Sequence, residues 1–326
     1  MELEVTKDDP LGILASTLPI VKNADFVFIH EDKLQGISDK IIERYGTGLN
    51  DYELGVTNSK NIEQDLQLVF IEDVVNFSFW PTNGQKKWEV EWPVGAPAVG
   101  GWYGLVACFK RGLAEGVPIL NAKYLSTISD SEAHYFFRGS NDTFIPLLEE
   151  RVKNLREAGS VLLQKFNGNI RALIELSNYD AIEIVKNITE NFPSFRDISN
   201  IKGNEIKFLK RAQICPNDFS YLLKDKITNL DKLTAYADYK LPQILRMFGV
   251  ISYKDSLSKM IDDVIEIPHE SREEIEIRAA TIWAVELLRQ KIGKLTAGEI
   301  DNTLWVMSQD IQNEAKPYHR SRTIYY

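Results

Sequence analysis

The chain has 326 residues, of which 44% are hydrophobic and 26% charged, which excludes a disordered chain, a collagen-like chain and a coiled-coil rod. At about 150 residues per domain it suits two lobes or one large domain, and it can bury roughly 75% of its unfolded surface. The 38 Lys and Arg against 47 Asp and Glu leave a net charge of −9, the wrong sign for a groove that displaces counterions from long nucleic acid. A small molecule, held by a few placed cations, is the expected partner.

Cys108 and Cys215 are too few for a disulfide framework, and no Cys/His cluster has zinc spacing. A reducing cytosol fits, so a cytoplasmic location is expected. The opening MELEVTKDDPLGILAS lacks a basic region and a long apolar run and does not read as a signal peptide. No apolar run approaches 18 residues, so no membrane span is expected.

Helical periodicity dominates. Helices are predicted at 37–46, 62–76, 103–115 and 131–138. Residues 86–93 alternate Trp88, Val90 and Trp92 against Lys87, Glu89 and Glu91, the pattern of one short edge strand or hairpin arm. The glycine- and proline-rich 93–101 is a loop and a candidate hinge. A boundary near 140–145 separates an N-terminal helical region, 1–144, with its aromatic-rich loop, from a C-terminal helical catalytic region, 145–326; the alternative is one continuous core. In 145–166, Leu148, Val152, Leu155, Ala158 or Gly159, Leu162 and Phe166 step by three and four. The pattern repeats over 169–190 and ends at Phe192-Pro193. A loop at 193–204 leads to helices at 205–212, 241–248 and 254–263. Residues 272–292 form the cleanest helix, with Glu273 and Glu274 in its first turn and Arg289 and Lys291 in its last, as the helix dipole favours. A further helix spans 299–311. The expected fold is mainly α, with at most a short β element.

Several constellations carry chemistry. Phe77, Phe79 and Trp80 in FSFWP, with Trp88, Trp92, Trp102 and Tyr103 nearby, are either core or a stacking platform for a flat heterocycle. Asp197, closing FPSFRD, is a helix cap or a catalytic carboxylate. In KFLKRAQI, Lys207 and Arg211 share a helix face at i, i+4, and with Lys210 they form a solvated face or a site for phosphate or a buried carboxylate. Asp238 and Tyr239 precede Leu241-Pro242, the start of a helix. Asp238 is a cap, or an acid whose pKa is raised by its apolar surroundings. Arg278 shares a face with Ile275, Ile282 and Val285, and Glu274 or Glu286 is its expected partner. The tail KPYHRSRTIYY carries His319, Arg320 and Arg322 among tyrosines. A tail ending Ile-Tyr-Tyr is expected to dock, and its cations suit a phosphate. No Walker A loop, dinucleotide fingerprint, HExxH or nucleophile elbow is present.

Seven segments together resemble one family. They are FSFW (77–80), GWYGLVACFKRGLAEGVP (101–118), FPSFRD (192–197), KFLKRAQI (207–214), ADYKLPQILRMFG (237–249), EIEIRAATIWAVELL (274–288) and HRSRTIYY (319–326). In that order they resemble the queuosine salvage proteins, the queuosine 5′-phosphate N-glycosylase/hydrolases. The resemblance is least clear over the first sixty residues. It implies a multi-helix fold related to helix–hairpin–helix DNA glycosylases, and cleavage of the N-glycosidic bond of queuosine 5′-monophosphate to release queuine for tRNA. It also implies no metal and no redox cofactor, while the net charge and the lack of a long apolar run give the expectation of no long nucleic acid or membrane as partner. Asp197 and Asp238 are the carboxylates inside the matching segments, and either can face C1′ to stabilise an oxocarbenium-like centre while the other grips the guanine-like N–H edge or the cationic amine of the base side chain. Phe77, Phe79, Trp80 and Tyr239 are then expected to stack the base, and Lys210, Arg211, His319, Arg320 and Arg322 to hold the 5′-phosphate. The alternatives are a DNA-repair glycosylase, which needs a basic face, and a non-catalytic helical binding module. An enzyme should bury Asp197 or Asp238 in a pocket with the aromatics.

Overall fold

A computed structural model describes residues 3–48, 61–140, 142–311 and 314–326. Within them the fold is mainly α, with three two-stranded antiparallel ribbons. No described helix is long and apolar enough to cross a membrane.

The centre is α13 (Arg272–Ile292), numbered by its place in the chain. Every residue from Glu274 to Leu288 is buried, as expected of a helix enclosed on all sides. Ser271 caps its start by accepting the Glu274 N–H, and Gly293, at φ 74°, ends it in the left-handed conformation that glycine adopts at little cost. Four helices pack around it: α1 (Ile13–Lys22), α2 (Leu34–Gly46), α11 (Lys240–Met247) and α14 (Ala297–Asp310). The ribbon of β1 (Val27–Ile29) and β6 (Ile251–Tyr253) joins them. Periodicity did not predict α1, which contains Pro19, a residue disfavoured inside helices. Tertiary packing sustains it: Ile13, Leu14 and Ile20 are buried, and the Trp283 indole N–H donates to the Thr17 hydroxyl at 3.0 Å.

A second group of helices packs together beside this centre. It includes α3 (Ile62–Val74), α7 (Leu148–Lys165) and α10 (Lys210–Leu223). One hydrophobic cluster takes in residues from Leu11 to Leu304, on both sides of residues 140–145.

Three expectations need correction. The single helix over 169–190 is two, α8 (Ile170–Leu176) and α9 (Ala181–Asn191). Asn178 and Tyr179 take positive φ between them, and Asp180 caps the second by accepting the N–H groups of Ile182 and Glu183. The helix over 205–212 is instead a strand followed by a helix. Strand β4 (Ile198–Ile201) pairs with β5 (Asn204–Lys207) across a Lys202-Gly203 turn at φ 52° and 86°, the left-handed pair that a tight hairpin requires. This hairpin also fills the end of the loop expected at 193–204, and it places Lys207 on a strand, apart from Lys210 and Arg211. The strand over 86–93 shrinks to β2 (Glu89–Val90), paired with β3 (Val99–Gly100) ahead of α4 (Gly101–Ala114).

Two buried arginines fix the segment after α3. Arg151 on α7 donates to the carbonyls of Val75, Phe77, Ser78 and Pro146, and stands 4.2 Å from the Phe77 ring centre. Arg211 on α10 donates to the carbonyls of Asp73, Val74 and Ser194. The C-terminal tail docks on the same segment, with the Ser78 N–H donating to the Tyr326 carbonyl at 2.8 Å. Replacing Arg151 with methionine strands several buried carbonyls, and should destabilise the fold by roughly 2–4 kcal/mol. Thermal and urea denaturation measure this, and an unchanged midpoint would contradict the assignment.

Candidate active site

A cavity of about 510 Å³ opens where these elements meet. Helix α10 turns Lys210, Ile214 and Asp218 towards it, spaced i, i+4, i+8 along one face. Helix α14 presents Asp301, Trp305 and Gln309 at the same spacing, with Asn302 beside them. The segment entering α11 contributes Tyr236, Asp238, Tyr239 and Lys240. Phe77 and Phe79 line one side, the β2–β3 ribbon another, and Tyr318, Arg320 and Tyr326 come from the tail.

Asp238 combines both roles open to it in the sequence. Its Oδ1 caps α11, accepting the N–H groups of Lys240 at 2.7 Å and Leu241 at 2.9 Å, while the residue lines the cavity. Burial raises its pKa, against the opposing pull of the Lys210 ammonium and the two N–H groups. Lys210 is itself buried, which lowers its pKa, while Asp238 and Asp73 hold it up. Burial also raises Asp301, and raises Asp218 to about 7.

Asp197 does not line the cavity. It is buried and grips the Arg278 guanidinium with both oxygens, at 2.7 and 2.5 Å. Its Oδ2 also accepts the backbone N–H of Lys210 at 3.0 Å, capping α10 from a distance. Arg278 Nε donates to the Ala237 carbonyl at 3.3 Å, next to Asp238. One ion pair therefore holds the backbone beside both Lys210 and Asp238. The partners expected for Arg278 are not its main ones. Glu274 stands 3.9 Å away, and Glu286 pairs with Arg289. Asp197 reaches the guanidinium from another element, where helix spacing could not reveal it.

The other expected site residues divide. Phe77, Phe79, Tyr239, Lys210 and Arg320 line the cavity, while Trp80, Arg211, His319 and Arg322 do not. Arg211 spends its guanidinium on backbone carbonyls. His319 is buried, and burial takes its pKa down to about 4, so it is uncharged near neutral pH. Arg322 pairs with Glu266 at 2.7 Å and lies over the Trp80 ring. Lys87, Asp218, Tyr236, Lys240 and Asp301 line the cavity but escaped the sequence reading. The i, i+4, i+8 spacing within two helices was the signal for Asp218 and Asp301.

The Queuosine salvage protein family model matches residues 56–326. The chain belongs to this family. A relative from Sphaerobacter thermophilus, named queuosine 5′-phosphate N-glycosylase/hydrolase, is 38% identical over 98% of each chain. Relatives of the same name from Bos taurus and Mus musculus are 33% and 36% identical. The first alignment covers 94% of this chain and 96% of the relative, the second 81% and 82%. As in the sequence resemblance, the salvage family match includes the segments carrying Lys210 and Asp238.

Asp197→Asn leaves the Arg278 charge buried without its partner and should cost roughly 3–5 kcal/mol. The double variant Asp197→Leu, Arg278→Met removes both charges and should recover part of that loss. Equal destabilisation by the single and the double variant, in chemical denaturation, would contradict a dominant ion pair.

Proposed function

We propose that this chain hydrolyses the N-glycosidic bond of queuosine 5′-phosphate, releasing queuine and ribose 5-phosphate. The observation that carries the reading is Asp238 in a cavity beside Lys210 and among Phe77, Phe79 and Tyr239. The family relatives' shared name supports it.

The chemistry follows from the substrate. As the C1′–N9 bond breaks, positive charge develops at C1′ and the ring oxygen, and the electron pair leaves with the base. Queuine is a 7-deazaguanine, so N7 is not there to accept a proton. Stabilising C1′ then carries more of the barrier. Asp238, with Oδ1 committed to the helix cap, offers Oδ2 to that centre and to the attacking water. Water supplies hydroxide to C1′, and its proton ends on the departing base. Lys210 keeps Asp238 ionised in a setting where burial favours the neutral acid. Asp197 is a positioning residue, acting through Arg278 and the α10 cap. Phe77, Phe79 and Tyr239 stack the base, the last with its ring 4.7 Å from that of Tyr318.

For the phosphate, Lys240 and Arg320 approach Tyr318, at 5.1 and 5.8 Å from its ring centre. Burial lowers the Lys240 pKa to about 8, and the Lys87 charge adds to that. Gathered like charges of this kind favour an anion between them. The reading includes kinship of the scaffold to helix–hairpin–helix DNA glycosylases, supported by the Leu241-Pro242 start of α11 and Gly249 after its end. It also includes a nucleotide, not long nucleic acid, as partner and a cytoplasmic setting, consistent with the net charge and with two buried free thiols.

Asp238→Asn should lower kcat on queuosine 5′-phosphate roughly 10²- to 10⁴-fold with the fold retained. In the unaltered protein kcat should fall as pH falls through the raised Asp238 pKa, placing the acid limb above the ordinary aspartate value of about 4. Lys210→Met removes the cation that holds this pKa down, so its limb should move to higher pH. A near-normal rate for Asp238→Asn, or a limb that ignores Lys210, would sink the assignment.

A further inference from the structure

Asp238 ends a segment that has no regular structure of its own. Residues 233–238 are all buried and irregular. Among the described residues, Thr234 to Asp238 make no hydrogen bond to other backbone. Buried backbone in this state must find its partners elsewhere, and here they are side chains from separate elements. The Leu233 carbonyl accepts from Lys7 Nζ at 2.6 Å, and the Thr234 N–H donates to Gln213 Oε1 at 2.9 Å. The Tyr236 N–H donates to Asp301 Oδ2 at 2.7 Å, and the Ala237 carbonyl accepts from Arg278 Nε at 3.3 Å. The proposed catalytic carboxylate is thus carried on a lone run of backbone that four side chains hold in place.

Gln213 stands out among the four. It lies one turn after Lys210 on α10, is fully buried and does not line the cavity. Both ends of its amide are used. While Oε1 takes the Thr234 N–H, Nε2 donates to the Phe208 carbonyl at 3.0 Å and to the Thr234 hydroxyl oxygen at 3.1 Å. Phe208 is itself tied to the anchor pair: its N–H donates to the Asp197 carbonyl at 3.0 Å, and its ring covers the Arg278 guanidinium at 4.0 Å. An apolar side chain of the same length would fill this space without burying an amide. What the amide adds is a hydrogen-bonded strut between the helix that carries Lys210 and the segment that carries Asp238.

Granting the proposed hydrolysis, on which this rests, we infer that Gln213 is a positioning residue for the reaction, acting through Thr234 to hold the Asp238 carboxylate at its working place beside Lys210 and C1′. Asp238 must meet C1′ in a geometry set before the bond to the base breaks, and a displacement of about 1 Å is enough to cost on the order of 10²-fold in rate. Arg278 and Asp301 grip the same segment, but the first belongs to the anchor pair and the second lines the cavity. Gln213 is uncharged and out of the substrate's reach, so its loss acts on position alone.

Steady-state kinetics of queuine release from queuosine 5′-phosphate test this in the intact protein. Gln213→Met keeps the side-chain length and removes the strut. It should lower kcat roughly tenfold to a hundredfold and leave KM within about threefold of normal. Gln213→Glu, held neutral by burial, accepts the Thr234 N–H and donates to the Phe208 carbonyl, and should keep kcat within about threefold of the unaltered protein. Thr17→Val controls for stability alone. It removes the acceptor of the Trp283 indole N–H, and should lower the unfolding midpoint while leaving kcat within about twofold. If Gln213→Met fails to fold, Gln213→Asn, one methylene too short to span Thr234 and Phe208, takes its place with the same expected split. A normal kcat in the variant without the strut, a loss confined to KM, no recovery in Gln213→Glu, or an equal fall in kcat for Thr17→Val overturns the positioning role and leaves the hydrolase. No queuine from the unaltered protein overturns both.

Discussion

The buried pair of Asp197 and Arg278 ties together parts of the chain that lie far apart in sequence. Two charges taken out of water at this depth are tolerable only when geometry and extra hydrogen bonds compensate. Here the carboxylate meets the guanidinium with both oxygens and also accepts the Lys210 N–H, while Arg278 reaches the Ala237 carbonyl. The rings of Phe208 and Tyr326 cover the guanidinium at 4.0 and 4.4 Å. The central helix, the start of α10, the segment entering α11 and the docked tail thus share one electrostatic anchor. Lys210 and Asp238 flank its contacts, so the pair sets the geometry of the cavity without entering it.

Within that frame the cavity concentrates charge that water would otherwise solvate. Asp218, Asp238 and Asp301 are all pushed upwards by burial, with Lys210 as a shared counter-charge. Such an arrangement costs stability, as functional sites often do. It also provides an electrostatic field that is already oriented before the bond to the base begins to break, which matters most for a leaving group that cannot be protonated at N7.

Much of the fold was legible where local and tertiary preferences agree. The 272–292 helix has its cap, its charge distribution and its glycine stop in the sequence. Where tertiary contacts decide, the sequence was silent. Helix α1 survives Pro19 through its packing against α13, and the 198–207 hairpin turns on left-handed backbone at Lys202 and Gly203. Asp238, Lys210 and the phenylalanines of FSF, which line the cavity, lie inside recognisable segments. The expected cations divide for a physical reason. Arg211 and His319 sit in motifs that look suited to a phosphate, but burial commits one to backbone carbonyls and leaves the other neutral. Lys240, with no motif of its own beyond following Asp238-Tyr239, takes the place beside Tyr318.

The central claim is the reaction itself. Chromatography of the purified protein incubated with queuosine 5′-phosphate, with guanosine 5′-phosphate alongside, addresses it directly. Free queuine and ribose 5-phosphate appearing in equal amounts, with guanosine 5′-phosphate left intact, is the predicted result. A folded protein that releases base from neither nucleotide would contradict the account.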